Sequence, residues 1–283
     1  ERLLGVEVPP RARYMRVVLA ELQRIASHLI WLGTHAMDIG ALTVFVYGMR
    51  EREQILDLFE SYCGARLTYN ALRIGGMPED FPEGWTDEAR RFCDALPPRL
   101  VEYHELLTAN RIWLARTRGV GTIDGKTALD WGMTGPCLRG SGVPYDVRKA
   151  IPYEAYADLD FDVPIGEAGD TYDRYLCRME EIRQSRRIVL QALDKLPGGE
   201  VRGKVPRRIK PPKGEVYHVN EGPRGELGVY LVSDGSENAY RCRFRSPNFV
   251  NLQALPDMVR GHLVADVVAV IGTLDVVLGC VDR

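Results

Sequence analysis

The sequence predicts a mainly α chain, a helical bundle core carrying a small antiparallel β hairpin, and three observations predict it. From Glu21 to Asp38 the residues Glu21, Arg24, His28, Trp31, His35 and Asp38 recur at alternating spacings of three and four, one thin polar line on an otherwise apolar helix. A second long pattern runs from Asp170 to Leu196 and stops at Pro197-Gly198-Gly199. Against these helices stands one strong hairpin signal, Asp234-Gly235, between Glu226 to Val232 and Ala239 to Arg245.

The first helix starts at Pro9-Pro10, since proline is tolerated in a first turn, and ends near Gly40. Its polar line is too narrow for a solvated face, so the helix is expected to be buried, with a seam that must be paired or must serve something. A second helix is predicted over Gly48 to Cys63, ended by Gly64. After the loop Arg73-Ile74-Gly75-Gly76-Met77-Pro78, an amphipathic helix spans Asp87 to Asn110, with Pro97-Pro98 expected to break it in two. From Thr117 to Gly169 short segments alternate with Gly, Pro and Asp, and recurring aromatics (Trp131, Tyr145, Tyr153, Tyr156, Phe161) mark an ordered loop region. Lys204 to Lys213 reads as a basic, proline-rich surface connection, and in the second hairpin strand Tyr240, Cys242 and Phe244 alternate with Arg241, Arg243 and Arg245. A closing helix is predicted over Asp257 to Gly279.

At 283 residues the chain is expected to form one domain. Its net charge of −2 gives no reason to expect nucleic acid as a partner. The six cysteines lack any CxxC pair, which indicates neither a zinc ribbon nor a disulfide framework and suits a reducing compartment. No signal peptide is visible, and the apolar run Leu263 to Cys280 is too short and polar to span a bilayer, so the protein is expected to be soluble or held at a membrane by partners. The missing initiator Met points to an incomplete chain.

Among candidate residues, His28 and His35 are read as buried, hydrogen-bonded histidines, too far apart on their helix to share a metal without other ligands. Asp38 sits where the helix dipole disfavours a carboxylate, so a partner should hold it; a loop-backbone partner and a functional one fit the composition equally. Arg139, Arg148 and Lys149 are expected to pair with Asp146 and Asp162. Gly119-Val120-Gly121 lacks the third glycine of a dinucleotide site and reads as a tight turn. The tail from Leu274 is expected to be docked, with Cys280 a buried small residue.

The runs Glu21-Leu22-Gln23-Arg24-Ile25-Ala26-Ser27-His28-Leu29, Met37-Asp38-Ile39-Gly40-Ala41-Leu42-Thr43, Arg50-Glu51-Arg52-Glu53, Arg73-Ile74-Gly75-Gly76, Leu138-Arg139-Gly140-Ser141-Gly142, Phe161-Asp162-Val163-Pro164, Gly169-Asp170-Thr171-Tyr172-Asp173-Arg174, Gly225 to Gly235 and the terminal Val281-Asp282-Arg283 closely resemble the D, or 49 kDa-type, subunit of NADH-quinone oxidoreductase, respiratory complex I. That family is related to the large subunit of nickel-iron hydrogenases. The resemblance covers nearly the whole chain. It implies a hydrogenase-large-subunit-like helical fold and a quinone-reduction cavity beside the iron-sulfur cluster of an adjacent subunit, in a proton-translocating respiratory enzyme. Quinone would be the substrate, with no cofactor bound by this chain alone. The implied partners are the small iron-sulfur subunit, the C-type subunit of the same enzyme and the membrane arm. The implied location is peripheral, on the cytoplasmic face of a bacterial inner membrane or the matrix side of the mitochondrial one.

Residue by residue, Asp38 resembles the family carboxylate that holds a quinone-site histidine, Ile30, Thr34 and Phe45 the cavity lining, and Asp275, Val277 and Cys280 a chain end folded back into the cavity. Three departures stand beside this. The family's quinone-site histidine and tyrosine belong to an N-terminal region this chain lacks, and between Gly199 and Pro211 the family's additional helix with a histidine is missing. Val277 stands where the hydrogenases have the companion of the cysteine resembled by Cys280, so a nickel-iron centre is not expected. A non-catalytic scaffold joining redox and membrane modules and an energy-converting hydrogenase are the alternative readings.

Overall fold

The computed structural model describes residues 1–282; Arg283, the end of the terminal motif, lies outside the described residues. Helix α1 runs Pro10–Asp38 with Pro9 in extended conformation at its entry, where the missing proline N–H leaves no donor unsatisfied. Nineteen of its 29 residues are buried, so it is a central helix and its polar seam is interior, as expected. Helix α2, Leu42–Cys63, begins six residues before the predicted Gly48. Gly48 is a contact position, not a start: a Cβ there would lie 3.0 Å from the Leu29 carbonyl, and one on Gly33 3.0 Å from Phe45 Cα. Two glycines therefore let α1 and α2 cross with their backbones close.

Helix α3, Trp85–Leu107, runs straight through Pro97 and Pro98 and corrects the expected break. A proline at 97 leaves the Cys93 carbonyl without its helical donor. The Arg186 Nε–H supplies one from the neighbouring helix at 2.5 Å, so the carbonyl stays satisfied. After helix α4 (Arg111–Thr117), the span from 117 to 169 read as ordered loop contains short helices α5 (Gly125–Asp130), α6 (Pro136–Arg139) and α7 (Val147–Ala150) and a 3₁₀ turn at Tyr156–Asp158. Helix α8, Thr171–Asp194, is capped by Asp170, whose carboxylate accepts from the Asp173 N–H at 2.9 Å. It lies against α1, and with α2 and α3 the two enclose the main apolar core.

Three strands form one antiparallel sheet in the order β1 (Gly214–Gly222), β2 (Gly225–Ser233), β3 (Arg241–Arg245). The predicted β2–β3 hairpin forms around Asp234-Gly235 with Val229 opposite Phe244, while β1, opposite β2 with Tyr217 facing Tyr230, escaped the sequence reading. The expected closing helix is in fact α10 (Leu255–Val259), α11 (Asp266–Leu274) and α12 (Leu278–Val281), following α9 (Pro247–Gln253). The breaks fall at Gly261 and Asp275, both at positive φ (82° and 54°), which no helix accommodates. A second apolar cluster joins these helices to residues 120–138, and Ile39 packs against both clusters. No helix of the described residues is long and apolar enough to cross a membrane.

Candidate functional site

The α1 seam meets a matching seam on α8. Glu21, fully buried, receives the Arg24 Nε (3.2 Å), the Arg148 Nη1 (3.1 Å), the Tyr156 hydroxyl (2.6 Å) and the Ser185 hydroxyl (2.6 Å). Burial alone would raise its carboxyl, but the two guanidiniums and the hydroxyl donors bring it down to about 2. Arg24 also donates to the Glu221 and Gly222 carbonyls, tying β1 to α1. One turn on, the His28 Nε2 lies 2.8 Å from Glu181, whose other oxygen accepts from Arg139 Nη2 at 2.6 Å. Burial pushes the His28 imidazole down to about 4, outweighing the carboxylate beside it, so His28 is neutral and donates through Nε2. Arg139 reaches further to Glu221 (2.8 Å), and Asp146 accepts from Arg148 (2.6 Å).

The expected pairing of Arg139 and Arg148 with Asp146 is thus found, whereas Asp162 pairs with Arg187 at 3.2 Å and Lys149 lies over the Phe161 ring at 4.1 Å. Lys149 is exposed, whereas Asp146 is buried with Arg148. Two acids central to the network, Glu181 and Glu221, were missed by sequence reasoning. Glu181 carried a signal: with Arg174, Arg178 and Ser185 it repeats the three-four polar spacing on α8.

Beyond His28 the seam changes character. His35 is buried between Trp31 and Trp113, ring centroids 5.4 and 5.2 Å away, and its ring nitrogens make no well-formed hydrogen bond, with only a marginal approach by the Ala269 backbone. The expectation of a hydrogen-bonded histidine fails here because apolar surface fills the site. Burial, reinforced by Arg178, pushes the imidazole down to about 3. Arg178 lies over the Trp31 ring at 4.3 Å and donates to the Thr273 carbonyl at 2.8 Å. The Trp31 indole in turn donates to the Gly272 carbonyl at 2.7 Å, so α11 docks on α1 at Trp31 and His35.

Asp38, one turn past His35, is exposed, and its carboxylate has no partner among the described residues. Ile30, Thr34 and Phe45 are half-buried around the α1–α2 elbow, the Thr34 hydroxyl bonding back to the Ile30 (3.0 Å) and Trp31 (3.1 Å) carbonyls. Asp275, one turn past Gly272, is buried, with the Arg224 Nε 3.2 Å from its carboxylate and 3.1 Å from its carbonyl. Burial raises its carboxyl against the pull of Arg224. Val277 donates its N–H to Asn248 (3.1 Å) and the Cys280 Sγ lies 2.7 Å from the Ser246 hydroxyl, so the tail is docked as expected, but Cys280 is half-buried and not the buried residue expected, because α12 buries none of its residues. Ile39, next to Asp38, and Val276, next to Asp275, pack against the same apolar cluster. Around them Met37, Leu42, Val46, Val277 and Leu278 remain exposed.

The class this defines is a mainly helical chain whose polar interior is committed to its own fold and whose apolar elbow is left uncovered, the organisation of a subunit in a larger assembly. A family model described as the 49 kDa subunit of respiratory-chain NADH dehydrogenase matches residues 38–212 and 203–283, and the chain belongs to that family. It is 58% identical over 283 residues to the second of the D-type NADH-quinone oxidoreductase subunits of Solibacter usitatus (strain Ellin6076), covering all of this chain and 76% of that protein. It is 52% identical to the second D-type subunit of Thermodesulfovibrio yellowstonii (all of this chain, 78% of the relative) and 50% identical to the D-type subunit of Geotalea uraniireducens (all of this chain, 79% of the relative). The alignment to the Thermodesulfovibrio protein runs to 312 positions, so that relative carries residues this chain does not. The chain is therefore a subunit of an NADH-quinone oxidoreductase, part of the respiratory electron-transport chain.

Proposed function

We propose that the α1–α2 elbow and the tail form one wall of a quinone-reduction cavity, closed by an adjacent small iron-sulfur subunit whose cluster delivers the electrons. One observation carries this: Asp38 is the acid of the α1 seam left without a partner, at the rim of an uncovered apolar corner, while Glu21, earlier on the same seam, is enclosed by donors. An exposed carboxylate beside apolar side chains becomes desolvated once a neighbour covers it, and it then needs a proton or a cation. Reduction of a quinone to a quinol consumes two protons, and a carboxylate orienting a histidine is an ordinary way to deliver one. Ile30, Thr34 and Phe45 would contact the ring or tail of the quinone, with Val277 and Cys280 completing the same wall. Asp275, held by Arg224, would shape the tail and not meet substrate directly.

In this reading the chain binds no cofactor alone, contacts the C-type subunit and the membrane arm, and works at the cytoplasmic face of a bacterial inner membrane or its mitochondrial equivalent. Asp38→Asn in the assembled enzyme should lower NADH:quinone turnover about a hundredfold or more, the range for a general acid–base group. NADH oxidation by an artificial acceptor upstream of the quinone should be retained. Equal activity of variant and parent in both assays would remove Asp38 from the reaction and favour a purely bridging role.

A further inference from the structure

The open edge of the sheet carries a feature that quinone chemistry does not use. Among the described residues strand β3 pairs only with β2, so alternate backbone amides and carbonyls of Arg241–Arg245 point away from the sheet. Arg241 and Arg243 share one face, opposite Val232 and Tyr230, and neither side chain makes an ion pair or hydrogen bond among the described residues. Cys242 and Phe244 share the other face, opposite Leu231 and Val229. Cys242 is exposed, Phe244 is 48% exposed, and Tyr240, just before the strand, is 74% exposed. The same end of the sheet adjoins the basic connection: the Ser233 hydroxyl donates to the Pro211 carbonyl at 2.8 Å, and Lys213 passes beside Gly235. Lys210 of that connection pairs with Glu237 at 3.9 Å, whereas Arg241 and Arg243 keep their charges unpaired among the described residues.

We propose that β3 receives an extended acidic segment of a neighbouring subunit as a fourth strand. Charged residues on an edge commonly serve to repel other strands. Here the strand also exposes a cysteine and an aromatic side chain on its second face, which repulsion alone does not require. An added strand would pair the free amides and carbonyls, place carboxylates against Arg241 and Arg243, and cover Cys242 and Phe244 with alternate apolar side chains. A second copy of this chain paired through β3 would set arginine against arginine. An anionic lipid surface would satisfy the arginines but leave the strand's backbone groups unpaired.

The native thiol of Cys242 reports the contact directly. In the intact complex Cys242, located by peptide mass spectrometry, should react with a maleimide at least about tenfold more slowly than in the urea-unfolded complex, as a residue within an added strand does. The Arg241→Glu/Arg243→Glu variant should bring its reactivity within about twofold of the unfolded value, because like charges across the strands oppose pairing. The Arg241→Lys/Arg243→Lys variant keeps the charge and should retain protection. Treated with a carbodiimide, it should form an amide link to a carboxylate of an extended segment in a neighbouring subunit. Fast labelling of Cys242 in the intact complex, or links confined to this chain, would overturn the proposal. Protection that appears only on adding phosphatidylglycerol vesicles would overturn it in favour of a lipid surface.

Discussion

The two halves of α1 treat their polar residues differently. From Glu21 to His28 the seam is closed against α8, α7 and β1, with Glu21 and Glu181 accepting from several donors at once. From Trp31 to Asp38 the seam opens: His35 has apolar neighbours and poorly satisfied nitrogens, and Asp38 faces outward. The same periodicity therefore serves two ends. Where it meets a second polar helix it fixes the fold, at the α11 docking point it is buried under apolar side chains, and at the elbow it leaves Asp38 for something the chain does not itself supply. Burial and partners, not residue type, separate a structural acid from a candidate functional one.

The closed half should respond most strongly to losing a partner. Glu181→Ala would remove one of the acids that Arg139 pairs with, leaving it Glu221, and would leave His28 without its acceptor in a fully buried site, and breaking such a pair costs about 3–5 kcal/mol. Loss of soluble, assembly-competent chain, or a large drop in the thermal midpoint, is expected; a midpoint unchanged from the parent would mean that the seam relaxes and the comparison fails. Acid should act on both halves in the same sense. His28 and His35 are held near 4 and 3, below the usual 6.5 that the unfolded chain restores, so the unfolded chain binds more protons below pH 6.5. Their contribution is full above that pH and falls as pH drops toward 4, by about 1.4 kcal/mol per pH unit for each histidine. Equilibrium unfolding between pH 7 and 4 should show this slope, and His28→Gln together with His35→Phe should flatten it.

Within the open half, α11 meets α1 at the His35–Gly272 contact, where a Cβ on residue 272 would lie 2.5 Å from His35 Cδ2. Overpacking of this kind costs about 1–3 kcal/mol. Gly272→Ala should therefore lower the thermal midpoint, and His35→Ala in the same chain should recover part of the loss. Additive losses in the double variant would show that α11 docks on α1 by other contacts.

The seam was legible in the sequence because a three-four spacing survives any tertiary arrangement, and so was the β2–β3 hairpin, whose turn carries its own chemistry at Asp234-Gly235. What the seam pairs with was not legible, since Glu181 lies 153 residues from His28 and only the fold brings them together. Pro97-Pro98 misled for the same reason: whether a proline ends a helix depends on a donor for the freed carbonyl, and Arg186 stands on another helix. The closing helix was overextended because its second break falls at Asp275, a left-handed aspartate that composition does not flag. At the candidate site the sequence placed Asp38 at the end of an apolar helix, where the structure has it exposed, but did not show that Arg224 pairs with Asp275.

The smallest stability effect belongs at the open end, and it tests the comparison most sharply. Asp38 has no partner among the described residues, so Asp38→Asn removes no contact within the chain and should leave the thermal midpoint of the isolated chain where it is. Glu21→Gln replaces a carboxylate that Arg24 and Arg148 hold at about 2, and it should lower the same midpoint at pH 7. The unfolding curve of the parent should approach that of Glu21→Gln as pH falls from about 4.5 toward 2, because a depressed carboxyl contributes only while it is ionised in the folded state. A midpoint lowered equally by both substitutions would mean that Asp38 is a structural acid like Glu21, and the division of α1 into a closed and an open half would not stand.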